Sequence, residues 1–307
     1  VRPHPVTWPI IAGVGALAWG GLHEVRAFTL RRFTVPVLPA GADPLKVLHL
    51  SDAHMRPNQR RKQEWLRGLA HLEPDLVVNT GDNLAHLDAL PSVLDAYGPL
   101  LDVPGVFVFG SNDYFSPIFK NPVSYLTGGT GVDADGPRVR DRDLPFEPMR
   151  QAFTQRGWVD LSNQHGSLDL DGRRLAFVGV DDPHLGFDEL DDQPADTAAH
   201  LAIGVAHAPY LRVLDRWNEL GYPLILAGHT HGGQLCLPGG RALVTNCDLD
   251  PERAKGLHTH RLPGHEPSWM HVSAGLGTSP FTPVRFACRP EATLLTLTAV
   301  DSPGLSG

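Results

Sequence analysis

Ala227-Gly228-His229-Thr230-His231-Gly232-Gly233-Gln234 is the stretch on which the reading of this chain turns. It follows Leu224-Ile225-Leu226, an apolar run that reads as a buried strand of a sheet covered on both faces. In an extended chain, residues two apart point to the same side. His229 and His231 are therefore expected to present two imidazoles to one spot just past the strand. Gly228, Gly232 and Gly233 allow backbone angles that a Cβ would forbid. Two co-facing imidazoles make half of a transition-metal site. Two histidines in a surface turn would be a sufficient reading if the pattern stood alone.

It does not stand alone. Lys46-Val47-Leu48-His49-Leu50 reads as a strand running into Ser51-Asp52-Ala53-His54. Asp75 to Asn79 runs into Thr80-Gly81-Asp82-Asn83, and Val106 to Phe109 into Gly110-Ser111-Asn112-Asp113. Leu201 to Ala206 delivers His207-Ala208-Pro209. Five apolar runs thus end in side chains able to bind metal, and ligands of α/β sheets gather at the carboxyl ends of strands.

Asp52-x-His54, Gly81-Asp82, the Gly110 to Asp113 turn, His207 and Gly228-His229-x-His231 resemble the calcineurin-like metallophosphoesterases. The Gly228-to-Gln234 version most resembles the bacterial, membrane- or envelope-associated branch. The resemblance spans about residues 40 to 300. It implies a four-layer αββα sandwich, α/β or α+β in class, with metal-binding loops at the C-terminal ends of strands. It also implies two divalent metals, with Asp82 bridging them. Asp52, His54 and His231 would complete one site, and Asn112, His207 and His229 the other. Mixed carboxylate and imidazole donors suit Mn, Fe or Zn better than Mg.

One turn departs from the family's pattern. Where Gly-Asn-His-Asp is usual, this chain has Gly110-Ser111-Asn112-Asp113. The favoured register keeps Asn112 as a ligand and puts Asp113 where the leaving-group histidine would stand; the alternative is that the ligand is lost. With that histidine missing, catalytic help falls to Asn112, Asp113 and His184, with His258 as a further candidate. Asp182 and Arg56 are candidates for contact with the substrate phosphate.

The net charge of −8 over 307 residues argues against a general nucleic-acid binder. Three widely spaced cysteines, Cys236, Cys247 and Cys288, do not suggest a disulfide scaffold. Cys236 reads as a small apolar filler, with approach to the metals as the alternative. Val6 to Leu22 is continuously apolar or small, with Trp8 and Trp19 near its ends. It is read as a membrane attachment; a signal peptide and a buried core helix are the other readings. Arg26, Arg31 and Arg32 follow it, which puts the catalytic domain on the cytoplasmic side.

The domain expectation is a segment and linker over 1–40, a catalytic domain over 41–300 and a tail over 301–307. Residues 33 to 44 read as an edge strand and Met55 to Leu72 as a helix. Residues 114 to 145 read as a long loop or lid leaving from a metal-bearing turn. Ser167 to Leu170 and Arg174 to Val178 form a hairpin turning at Asp171-Gly172, and 209 to 220 a helix. Trp269 to Ser273 and Ala292 to Thr298 read as strands of the second sheet.

The function expected is a binuclear metal phosphoesterase acting on a phosphodiester or pyrophosphate, amphipathic or lipid-linked, at a membrane surface. The alternatives are a metal-binding pseudo-enzyme and a soluble cyclic-nucleotide phosphodiesterase.

Overall fold

Alternating apolar residues on strands that bury both faces require a covering layer on each side, and the chain supplies four layers. A computed structural model describes residues 13, 15–118 and 141–300. The first sheet has the order β1 (Thr29–Leu38), β12 (Glu291–Ala299), β2 (Leu45–Leu50), β3 (Leu76–Asn79), β4 (Gly105–Phe107) and β5 (Val159–Asp160). The second runs β10 (Gly256–His260), β11 (Ser268–Val272), β9 (Leu224–Ala227), β8 (Leu201–Val205), β7 (Arg173–Gly179) and β6 (Gln164–Leu170). Strands β2 to β5 are mutually parallel, as are β7, β8, β9 and β11.

The period-two burial of each strand sorts its side chains between two cores. Val47, Val78 and Val106 of the first sheet meet Phe177, Ile203 and Leu226 of the second in the central layer. Leu48, Val77 and Phe107 face outward onto helices α1 (Arg60–Gly68), α2 (Leu90–Tyr97) and α3 (Phe146–Gln155) through Leu66, Val93 and Phe153. On the far side Ala202, Ile225 and Met270 meet Val213, Leu214 and Trp217 of α4 (Leu211–Glu219).

Two sequence expectations shift. Ala292 to Thr298 belongs to the first sheet, because β12 inserts between β1 and β2. The helix expected from Met55 begins only at Arg60. Met55 instead donates its N–H to Asn83 and accepts one from Ala85, which ties the Asp52 turn to the Asp82 turn.

Residues 6–12 and 14 of the apolar N-terminal segment, residues 119–140 of the expected long loop and the 301–307 tail lie outside the described residues. Among the described residues no helix is long and apolar enough to cross a membrane. Trp19–His23 and Glu24–Arg26 are short helical turns. Gly20 packs against the Arg285 carbonyl, and Glu24 Oε1 accepts the Cys288 N–H at 2.6 Å. The two ends of the long loop are pinned together: Leu144 N–H donates to the Tyr114 carbonyl at 3.1 Å, and Ser116 N–H to Asp143 at 2.8 Å.

Candidate metal centre

At the carboxyl ends of β2, β3, β8 and β9 the chain turns sharply, and several turns pass through backbone space that residues with a Cβ rarely occupy. Asp52, Asp82, His54, His229 and His231 all have positive φ, between 40° and 68°. They are half of the ten non-glycine residues with positive φ among those described. Such residues cost free energy and collect where function over-determines the backbone. The left-handed turns also correct the expectation that His229 and His231 share one spot. His231 Nε2 faces His54 Nε2 at 3.1 Å, while His229 Nδ1 faces His207 Nε2 at 3.2 Å.

Two groups of donor atoms result. Asp52, His54, Asp82 and His231 offer ligand atoms that all lie within 4.8 Å of one another. Asp82 belongs to both groups: Oδ2 lies 3.4 Å from His54 Nε2, and Oδ1 lies 3.6 Å from His207 Nε2. Asn112 reinforces Asp82, donating its backbone N–H to Oδ1 at 2.7 Å and its Nδ2 to Oδ2 at 2.8 Å.

Backbone carbonyls on the outer nitrogens of His207, His229 and His231 direct their inner nitrogens to the centre. His207 Nδ1 donates to the Thr80 carbonyl at 2.7 Å, which leaves Nε2 for the centre. His229 Nε2 donates to the Asn246 carbonyl at 3.2 Å, which leaves Nδ1. His231 Nδ1 lies 3.2 Å from the Gly277 carbonyl and 3.3 Å from Arg285 Nη2; in the carbonyl contact Nδ1 donates, which leaves Nε2. Asp52 Oδ2 accepts from Ser51 Oγ and from the His229 N–H, while Oδ1 is buried without a hydrogen-bond partner. An orphaned carboxylate oxygen beside two opposed imidazole nitrogens is the donor set a divalent metal requires, so the residues fit the group.

Electrostatics agree. Burial lowers His54 to about 4 and holds His229 and His231 well below the ordinary histidine range, so all three are neutral near pH 7. Burial raises Asp52 to about 6. Burial would also discharge His207, but Asp82, Asp182 and Asp52 outweigh it and push His207 up to about 9. Burial raises Asp82 less than the neighbouring His207, His54 and Asn112 lower it.

Asp113 does not face the centre. Its carboxylate is fully buried and accepts the N–H groups of Asp82 at 2.8 Å, Asn83 at 2.7 Å and Gly110 at 3.0 Å. It clamps two metal-bearing turns together, so the expectation of a catalytic carboxylate at that position is corrected. His184 is better placed: its ring centroid lies 4.5 Å from that of His229, and Tyr210 Oη sits 3.0 Å from its Nδ1. Asp182 is fully buried, accepts the His184 N–H at 2.8 Å and adds negative charge around His207, so it supports the site from below. Arg56 is exposed at the start of the segment leading to α1. His258 is on β10 with its Nε2 on the Lys255 carbonyl at 2.8 Å.

Sequence reasoning missed the supports. Lys62 of α1 is buried, its Nζ donates to the Ala53 carbonyl at 2.7 Å between Asp52 and His54, and burial lowers it to about 7. Arg285 is fully buried and donates to the carbonyls of Ala274, Gly275, Gly277, His231 and Cys288.

This fold and this ligand arrangement are those of a metal-dependent phosphoric ester hydrolase. The calcineurin-like phosphoesterase model matches residues 45–233, and the chain belongs to that family. It is similar to the metallophosphoesterase YkoQ of Bacillus subtilis, 27% identical over 257 residues, covering 81% of this chain and 82% of YkoQ. The phosphodiesterase YaeI of Escherichia coli is 26% identical, covering 91% of this chain and 92% of YaeI. A transmembrane protein with metallophosphoesterase domain from Bos taurus is 28% identical, covering 91% of this chain and 59% of its own length.

Proposed function

We propose that the catalytic domain, residues 41–300, is a binuclear phosphodiesterase of the branch whose signature is Gly228 to Gln234. The observation that carries this is Asp82, whose two oxygens face two separate imidazole groups, His54 on one side and His207 on the other. Asp52, His54, Asp82 and His231 would hold one metal, and Asp82, Asn112, His207 and His229 the other. Metals bound there would neutralise phosphate oxygens and lower the pKa of water, which lets a nucleophile approach an anion.

The chain's own residues supply the rest. Asn112 fixes the Asp82 carboxylate through two hydrogen bonds. His184 lies over His229, is only partly buried and is the group we assign to protonating the leaving oxygen. A positioned proton donor contributes about 10²–10⁴-fold. Asp182 beneath the same loop holds the His184 backbone.

The substrate reading is an amphipathic or lipid-linked phosphodiester presented at a membrane surface. Leu17, Trp19 and Leu22 support it: all three are at least half exposed, on or just before the Trp19–His23 turn, which leans on the Pro283–Arg285 segment beside the site. A relative named as a transmembrane protein is consistent with membrane attachment, and the arginines after the segment favour a cytoplasmic catalytic domain. The test is turnover of bis-p-nitrophenyl phosphate beside a panel of lipid phosphodiesters, with protein stripped of metal and reloaded with Mn²⁺, Fe²⁺ or Zn²⁺. Preference for lipid esters that survives in detergent micelles supports the reading. Preference for cyclic nucleotides would replace it, and no turnover of any ester with two metals bound would favour a binding protein.

A further inference from the structure

Behind the metal-bearing turn lies a second chemical cluster that hydrolysis does not use. The three cysteines of the chain are all free thiols. Two of them, remote in sequence, are brought together where Leu235 bridges Phe286 and the Cys236 N–H donates to the Phe286 carbonyl at 2.9 Å. Ala287 then takes a left-handed conformation, φ 52°, and returns Cys288 toward Cys236. Both thiols end on one acceptor: Cys236 Sγ lies 3.2 Å and Cys288 Sγ 3.5 Å from the Gly232 carbonyl oxygen. The two cysteines share one buried cluster with the small residues Ala242, Ala254 and Ala274.

A cation stands at each sulfur. Lys255 Nζ is 3.2 Å from Cys236 Sγ, and Arg285 Nη1 is 3.8 Å from Cys288 Sγ. A cysteine that only fills space needs no cation; a thiol that reacts does, because the thiolate is the nucleophile. Cys288 Sγ also reaches the His231 carbonyl at 3.3 Å.

We propose that Cys236 and Cys288 are a redox modification site, closing to a disulfide when hydrogen peroxide is the oxidant. One thiolate attacks the peroxide, forming an S–O bond and breaking O–O, and the departing hydroxide takes up a proton to leave as water. The second sulfur attacks the resulting sulfenic acid, forming S–S and breaking S–O, with release of a second water. Two thiols lose two electrons in total, and one peroxide becomes two waters. Closure removes the S–H donors from the His231 and Gly232 carbonyls. On the metal reading above, it therefore loosens the site that His231 completes.

The experiment treats the full chain with hydrogen peroxide and follows intact mass and disulfide-mapped peptides. The expected result is loss of two of the three thiols, a mass lower by two hydrogens, and one linked peptide joining Cys236 to Cys288, reversed by dithiothreitol. Oxygen adducts without that peptide, or a link involving Cys247, would overturn the proposal. Zinc-loaded protein, in which the metal is redox-inert, then tests the coupling. Oxidation should release zinc about tenfold faster to a chromogenic chelator, a difference that corresponds to about 1.4 kcal/mol in barrier. An intact linked peptide with unchanged zinc release would overturn the coupling. Failure of even the reduced protein to retain zinc would count against the metal reading instead.

Discussion

His54 Nε2 and His231 Nε2 lie 3.1 Å apart, each on a residue with positive φ and each lowered in pKa by burial. Both imidazoles are neutral, Asp52 Oδ1 lies 3.6 Å from His231 Nε2, and a pair of ring nitrogens this close needs a cation or a proton between them. The chain keeps them there through backbone strain, through the Gly277 carbonyl on His231 Nδ1 and through the Asp82 carbonyl on the His54 backbone N–H, and that strain has function as its physical reason.

The second group carries a proton that metal must displace. His207 is held at about 9 by three carboxylates in spite of its burial. Below that pH it is charged, so binding at the second site releases a proton. Affinity there should rise about tenfold per pH unit up to about pH 9. Competition titrations with Mn²⁺ at pH 6, 7 and 8 check this; a flat affinity would remove His207 from the ligand set.

Asn112 and Asp113 are neighbours with different work. Asn112→Ala loses two hydrogen bonds to Asp82 and should reduce metal at the second site and most of the activity, with little change in Tm. Asp113→Ala leaves three backbone N–H groups without their acceptor. It should cost about 3 kcal/mol or more in urea unfolding. If Asp113→Ala unfolds like the wild type and loses only turnover, its carboxylate acts on substrate after all.

Gly228 admits no side chain. A Cβ there would collide with Ser51 Oγ and stand 2.7 Å from Asp52 Oδ2. Gly228→Ala should displace the Asp52 carboxylate, which orients the His229 backbone, and lower metal affinity at the first site at least about tenfold. Unchanged affinity, measured by chelator competition, would show that Asp52 is not constrained through Ser51.

Much of this was legible because it is local. Apolar runs ending in Asp52, Asp82, His207 and His229 name their own strands, and Asp171-Gly172 names its hairpin. What escaped depends on residues far apart in sequence. Nothing near His229 announces the Asn246 carbonyl that holds it, and nothing near Asp52 announces Lys62 or Arg285. The Gly110 to Asp113 turn was misread in part because a one-turn helix over Ser111–Tyr114 rotates Asp113 under the loop. Strand β12 lies between β1 and β2 in the first sheet, partners that are remote in sequence and that its own residues do not name.

His49 and His271 bring both sheets into the pH dependence. Their Nδ1 atoms are 2.8 Å apart between the sheets, and His49 Nε2 lies 3.0 Å from Thr80 Oγ1. Burial lowers His49 to about 3 and His271 well below its ordinary value. The unfolded chain therefore binds protons that the fold refuses once pH falls below about 6.5. Stability from the pair is full above that pH and is lost as pH falls, for His49 by about 1.4 kcal/mol per unit down to about 3. A His49→Asn, His271→Asn variant should lack this share of the acid sensitivity. Parallel denaturation curves for the two proteins between pH 7 and 4.5 would contradict it.

The most direct test of the central claim is metal analysis of Asp82→Ala beside the wild type, purified from Mn²⁺-supplemented medium. If Asp82 joins both groups, the wild type should carry two metals per chain, and the variant should lose both together with hydrolysis of bis-p-nitrophenyl phosphate, while its circular dichroism stays unchanged. A folded variant that keeps two metals, or that still turns over the ester, would contradict the account.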